Sequence, residues 1–238
     1  MIPKKIHYCW FGKKPLPELA LKCIESWNKY CPEYEIIEWN EDNFDINSNL
    51  YVKQAYESKK WAFVSDYVRL YALYNQGGIY MDTDVEVIKS IDEFLKESAF
   101  SGFEAVDRVP TGIMGCEKEN EFFGMLLGQY NERSFIKENG LQDLTTNVTT
   151  ITSYCVEKGL RLDNTEQIIE GFRLYPNDYF CPKDYNTKEM KITKNTYTIH
   201  HFDGSWITRG MKIKQRFLNL LGPYLTKQLV RIKKIICG

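Results

Sequence analysis

The chain has 238 residues, 43% of them hydrophobic and 14% aromatic, and 31 Lys and Arg against 32 Asp and Glu give a net charge of -1. This length and apolar fraction suit one well-filled core or two lobes and exclude a disordered chain. Eight basic and no acidic residues lie from Gly204 onward, leaving 23 basic against 32 acidic residues in the body, an acidic surface that argues against nucleic acid as a partner. Seven cysteines (Cys9, Cys23, Cys31, Cys116, Cys155, Cys181 and Cys237) are scattered without C-x-x-C spacing. That pattern speaks against a zinc site or a disulfide framework and fits a reducing compartment. The opening MIPKKIHYCWFGKK has no long apolar run, and no stretch reaches the roughly 18 apolar residues that span a bilayer, so the expected location is cytoplasmic.

In chain order, Lys5 to Phe11 (KIHYCWF) is apolar enough for a first buried strand, and Gly12, Pro15 and Pro17 make the loop after it. Such a strand delivers its C-terminal end to the ligand edge of an α/β sheet. Trp10 lies there, either as a core side chain or as a flat ring on which a base can stack. Glu18 to Tyr30 has helical spacing stopped by Pro32, and Tyr34 to Trp39 (YEIIEW) reads as a second strand, a parallel strand-helix-strand unit. An Asn- and Asp-rich loop and a helix over Tyr51 to Lys59 follow. Trp61 to Gln76 (WAFVSDYVRLYALYNQ) has too many apolar positions for one narrow stripe and is expected to be a largely buried helix. Asp66 and Arg69 stand at i and i+3 on neighbouring parts of one face, as an ion pair or as contacts to a nucleotide. Gly77 and Gly78 supply a left-handed stop, and a strand from Ile79 to Met81 leads to Asp82-Thr83-Asp84.

In extended backbone, residues i and i+2 share a face. Asp82 and Asp84 then form a half-site for Mg²⁺ or Mn²⁺, with phosphates and water completing the shell. Further on, Ala99 to Cys116 reads as two strands around a variable loop, and Glu121 to Tyr130 as a helix. The run TTNVTT (Thr145 to Thr150) fits an N-glycosylation acceptor by pattern alone. In YTIHHFDGSW (Tyr197 to Trp206), His200 and His201 face opposite ways if the strand persists, so one of them is available as a third metal ligand. The polar loop that follows favours His201. From Met211 to Gly238, apolar and basic residues interleave as amphipathic helices interrupted near Gly222-Pro223, suited to an anionic membrane surface or to capping the body.

The blocks IHYCWFG and AFVSDYVRLYALYNQGGIYMDTDV resemble the glycosyltransferases of family 32, which holds capsular-polysaccharide enzymes, fungal mannosyltransferases and relatives of the clostridial glucosylating toxins. The likeness runs from Ile2 to Phe94. It implies an α/β GT-A fold, a mixed Rossmann-like sheet with helices on both faces, which we place at residues 1–210 ahead of a basic helical tail at 211–238. It further implies a nucleotide-sugar donor, a UDP-hexose in most of the family and a guanine nucleotide in some mannosyltransferases, together with Mn²⁺ or Mg²⁺ and retention of anomeric configuration. By the same resemblance, Trp10 stacks on the donor base, Asp66 and Arg69 contact ribose and sugar, Ser65 lines the pocket, Tyr80 lies against the donor, and Asp82 and Asp84 serve the metal. Glu104 and Gly112 fall in a region that shapes donor and acceptor sites, Asn147 matches a polar residue aimed at the sugar, and Ser205 and Trp206 contact the donor phosphates. The implied acceptor is a saccharide, lipid-linked if the tail docks on the inner face of a membrane during surface-polysaccharide synthesis. From the residues alone, a metal-dependent phosphoesterase or nucleotidyltransferase and a non-catalytic sugar-binding scaffold stay open.

Overall fold

A computed structural model describes residues 1–110 and 112–204. The opening strand-helix-strand pattern forms the expected parallel unit: β1 (Lys5–Cys9) lies beside β2 (Glu35–Trp39), with Lys5 opposite Glu35 and Cys9 opposite Trp39, and α1 (Glu18–Tyr30) makes the crossover. The strand stops at Cys9 rather than at Phe11, so Trp10 belongs to the loop, although its backbone N–H still donates to the Trp39 carbonyl at 2.9 Å. The next helix, α2 (Leu50–Glu57), is capped by the Asn49 side chain, which accepts from the N–H groups of Tyr51 and Val52. It ends before Lys59, whose φ of 55° breaks helical geometry.

Helix α3 (Trp61–Gln76) has the predicted bounds. Gly77 after it has φ 65° but ψ -170°, so it turns the chain without forming a left-handed cap. A Cβ there would lie 2.6 Å from the Lys118 backbone nitrogen, which only glycine avoids. The chain drops directly into β3 (Gly78–Met81), parallel to β1 on the edge opposite β2.

The remaining elements are β4 (Val85–Val87), a short 3₁₀ turn at Asp92–Lys96, β5 (Ala99–Gly102), β6 (Ile113–Cys116), α4 (Glu121–Gly128), α5 (Asn147–Glu157), β7 (Gln167–Ile169), β8 (Phe172–Tyr175), α6 (Asn177–Phe180) and β9 (Thr198–His200). Seven strands form one sheet in the order β2-β1-β3-β6-β5-β8-β7, while β4 and β9 pair as a separate antiparallel ribbon. Within the large sheet β6 and β7 run against the other five strands. This is the mixed Rossmann-like sheet of the GT-A expectation. Period-two alternation divides the core: Ile6, Tyr8 and Ile79 pack with Trp27 of α1 on one face, whereas Cys9, Tyr80 and Met114 pack with α2 to α5 on the other.

Three buried hydrogen bonds, through Trp27 and His7, fix the elements nearest the site. The Trp27 indole N–H donates to the Val85 carbonyl at 2.7 Å, tying α1 to the start of β4. On the opposite face, His7 Nδ1 accepts from the Trp39 indole at 3.1 Å, and its Nε2–H donates to the Gly77 carbonyl at 2.8 Å. Burial pushes the His7 pKa down to about 4, so the ring is neutral at pH 7 and held as one tautomer. The six described cysteines are free and buried, and no described helix is long and apolar enough to cross a membrane. The predicted basic helices of 211–238 lie outside the described residues.

Candidate active site

Asp82 and Asp84 come together by a turn, not by strand alternation. Strand β3 ends at Met81, and the Val85 N–H closes back on the Asp82 carbonyl at 3.0 Å. The ribbon of β4 and β9 then sets Val85 opposite His200. His200 Nε2 is thereby held 3.3 Å from Asp84 Oδ1 and 4.0 Å from Asp82 Oδ2. His201 does not reach this cluster: its Nε2 meets Glu86 Oε2 at 2.8 Å, one residue along the ribbon and on its other side. The preference for His201 is therefore corrected to His200. A three-residue strand still alternates, and pairing with β4 decides which histidine faces the carboxylates.

Each carboxylate uses one oxygen on the protein and aims the other at His200. Asp82 Oδ1 accepts from the Tyr80 hydroxyl at 3.0 Å and from Arg69 at 3.2 Å, while Asp84 Oδ2 accepts from the Asp203 N–H at 2.8 Å. The remaining ligand atoms of Asp82, Asp84 and His200 lie within 4.8 Å of one another. Gly112 leaves room beside them, since a Cβ there would sit 3.1 Å from both Asp82 Oδ2 and His200 Cε1. Two hard oxygens and one imidazole, oriented by outer partners, fit Mn²⁺ or Mg²⁺. Without a cation, burial works against the charge on Asp84, but His200 and the Asp203 N–H bring its pKa down to about 2. Burial likewise opposes charge on His200, and Asp84 outweighs it, holding the imidazole well above its ordinary pKa.

Helix α3 supplies the adjoining wall. Arg69 bridges Asp66 at 3.4 Å and Asp82 at 3.2 Å, donates through Nε to the Ser65 carbonyl, and stacks 4.5 Å over the Tyr80 ring. Burial opposes its charge, yet Asp82, Tyr80 and Asp66 more than offset this, so the guanidinium stays protonated. Burial pushes the Asp66 pKa up, countered in part by Arg69. These groups open on a cleft of about 510 Å³, into which Trp10, Ser65, Asp66, Arg69, Tyr80, Asp82, Asp84, Glu104 and His200 all project. The Trp10 indole N–H donates to the Lys14 carbonyl at 2.5 Å, which fixes the ring at the cleft rim. Glu104 is nearly buried, and that burial raises its pKa against the pull of His200 and Arg108.

Asn147 departs from its expected place. It opens α5 at 2% exposure, its Nδ2 donating to the Asp66 carbonyl at 2.6 Å, its backbone N–H to Asp66 Oδ2 at 3.1 Å, and its Oδ1 accepting from Tyr130. It stands behind Asp66 rather than toward a sugar, and its burial also removes it as a glycosylation acceptor. Ser205 and Trp206 lie outside the described residues. Among the cleft residues that the sequence reading does not identify are Trp61, Tyr185 and Phe202. Trp61 was accessible to it, because Trp61, Ser65 and Arg69 recur at i, i+4 and i+8 on one helical face; Tyr185 and Phe202 carry no such signal.

Two aspartates at the end of central strand β3 and a histidine of the β4–β9 ribbon thus meet beside an arginine-lined cleft. Residues 17–101 of the chain match the glycosyltransferase sugar-binding region containing DXD motif, in agreement with the resemblance to family 32. The chain is 28% identical over 125 residues to inositol phosphoceramide mannosyltransferase 3 of Schizosaccharomyces pombe, covering 51% of this chain and 35% of that protein. It is 25% identical over 219 residues to uncharacterized glycosyltransferase L373 of Acanthamoeba polyphaga mimivirus, covering 83% of each. The chain thus spans about a third of the yeast relative and most of the viral one. A solved glycosyltransferase involved in glycosylation of the major capsid of PBCV-1 overlays with a TM-score of 0.48 at 14% identity, covering 91% of this chain and all of that one.

Proposed function

We propose that the protein transfers a hexose from a nucleotide-sugar to a saccharide acceptor. The observation that carries this reading is the meeting of Asp82, Asp84 and His200, from distant parts of the chain, at the wall of a cleft large enough for a nucleotide-sugar. A divalent cation, Mn²⁺ or Mg²⁺, bound there supplies positive charge to the donor diphosphate. Trp10 at the rim offers a ring to the base. Asp66, beside the Arg69 guanidinium, accepts from ribose or sugar hydroxyls, and Arg69 holds Asp66 and Asp82 at fixed separation. The donor is a UDP-hexose by family likeness. The relative in fission yeast is named for a mannose transfer to inositol phosphoceramide, which supports a lipid-linked acceptor. Anomeric configuration is retained by front-face attack through a short-lived ion pair.

The experiment is a panel of nucleotide-sugars with Mn²⁺, scored for release of nucleoside diphosphate. Slow hydrolysis of one donor, abolished in Asp84→Ala, is the expected result. No turnover of any donor, together with no rise in melting temperature when donor and metal are added, overturns the reading.

A further inference from the structure

The loop between α6 and β9 holds a cation that the site described above does not use. Lys188 Nζ is shielded from solvent and has no hydrogen-bond partner among the described residues. It lies 4.6 Å from the centre of the Tyr185 ring and 5.8 Å from that of Phe202. Both rings line the cleft and pack edge to face at 5.2 Å, and the Phe202 ring centre is 4.1 Å from that of His200. The Phe202 ring is therefore a shared neighbour of this ammonium and of His200.

The placement is built into the loop. Asp184 Oδ1 accepts from the N–H groups of Asn186 and Thr187, the Asp184 carbonyl accepts from Lys188 N–H at 2.9 Å, and its N–H donates to the Glu189 carbonyl at 2.8 Å. The closure puts Lys188 at φ 60°, a left-handed conformation that a long side chain seldom adopts. Lys183 ties the same loop to β9 by donating to the His201 carbonyl at 2.8 Å. An ammonium removed from water without hydrogen bonds is costly, and ring faces compensate only in part. Burial and the neighbouring Lys183 hold its pKa below the ordinary lysine value, against the opposing pull of Asp184.

We propose that Lys188 is the protein's own anion contact for a diphosphate bound at the Asp82–Asp84–His200 cluster. This rests on the nucleotide-sugar reading. A nucleoside diphosphate carries about three negative charges near neutrality and one divalent cation offsets two, so a nearby lysine supplies the balance and the donors that Lys188 lacks partners for. The ligand class is a diphosphate with a divalent cation, independent of the base.

The test is calorimetric titration of the whole chain with inorganic pyrophosphate in the presence of Mn²⁺, for the wild type, Lys188→Met, Lys188→Gln, Lys188→Arg and Asp84→Ala. Melting temperatures verify that each variant is folded. We expect Lys188→Met and Lys188→Gln to bind about tenfold or more weakly, as for loss of a charged hydrogen bond, and Lys188→Arg to recover most of the affinity. Wild-type affinity in folded Lys188→Met or Lys188→Gln, with binding lost in Asp84→Ala, overturns the role of Lys188 and leaves the nucleotide-sugar reading standing. If the wild type itself shows no Mn²⁺-dependent pyrophosphate binding, the role of Lys188 falls, and the nucleotide-sugar reading is decided separately by the donor panel.

Discussion

Asn147 grips Asp66 at two points, its Nδ2 on the Asp66 carbonyl at 2.6 Å and its backbone N–H on Asp66 Oδ2 at 3.1 Å. Asp66 in turn meets Arg69, which meets Asp82. The position of the Asp66 carboxylate in the cleft is thus set from behind by a helix start 81 residues away. Asn147→Ala keeps the backbone bond but strips the side-chain one and leaves the buried Tyr130 hydroxyl without its acceptor. We expect a loss of about 1–3 kcal/mol in urea unfolding. Donor affinity should fall as well, while Mn²⁺ affinity stays within about threefold. A loss confined to Mn²⁺ affinity would contradict the positioning role.

The two histidines give a sharper comparison. His200→Ala should weaken Mn²⁺ binding at least about tenfold, whereas His201→Ala, which breaks the Glu86 contact, should leave it within about twofold. In the wild type, Mn²⁺ must displace the proton that Asp84 helps His200 retain. Affinity should therefore rise with pH. Calorimetry at several pH values checks both statements, and a larger effect from His201→Ala would return the ligand role to it.

Gly112 tests the space at the cluster. Gly112→Ala places a Cβ 2.9 Å from Val85 Cγ2 and 3.1 Å from Asp82 Oδ2. The Val85 clash predicts destabilisation of about 1–3 kcal/mol, and the crowded carboxylate predicts weaker Mn²⁺ binding. Thermal unfolding with and without Mn²⁺ should show a smaller metal-induced shift in the variant; an equal shift would mean that the pocket relaxes freely.

His7 predicts a pH dependence of stability unrelated to catalysis. Its folded pKa of about 4 lies below the ordinary 6.5. Between these values the unfolded chain binds the proton more readily, so stability from His7 is complete above pH 6.5 and is lost as pH falls toward 4. The full loss is about 3 kcal/mol. His7→Gln cannot titrate and should flatten this part of the profile relative to the wild type in denaturant melts. Parallel profiles from pH 7 to 4 would count against the assignment.

Much of this site was legible in local sequence because its residues are close in the chain. Asp66 and Arg69 share a helical face, Tyr80 lies in β3, and Asp82 and Asp84 come directly after that strand. The bounds of α3 were readable from its continuous apolar pattern and the glycine pair after it. What depends on distant pairing was not. The choice between His200 and His201 needs the β4–β9 register, and the inward turn of Asn147 needs the packing of α5 against α3. Strands β7 and β8, three and four residues long, are too short to announce a period, and the hidden Lys188 depends on a loop closure that no spacing reveals.

The β4–β9 ribbon has one more consequence. Two of the three candidate cation ligands, Asp82 and Asp84, are synthesised early, and His200 arrives only with the last described strand. If a cation binds there, a growing chain would gain the full ligand set only after β9 has docked. A bound ion would also act as a clasp between the middle of the chain and its far end, slowing the release of β9.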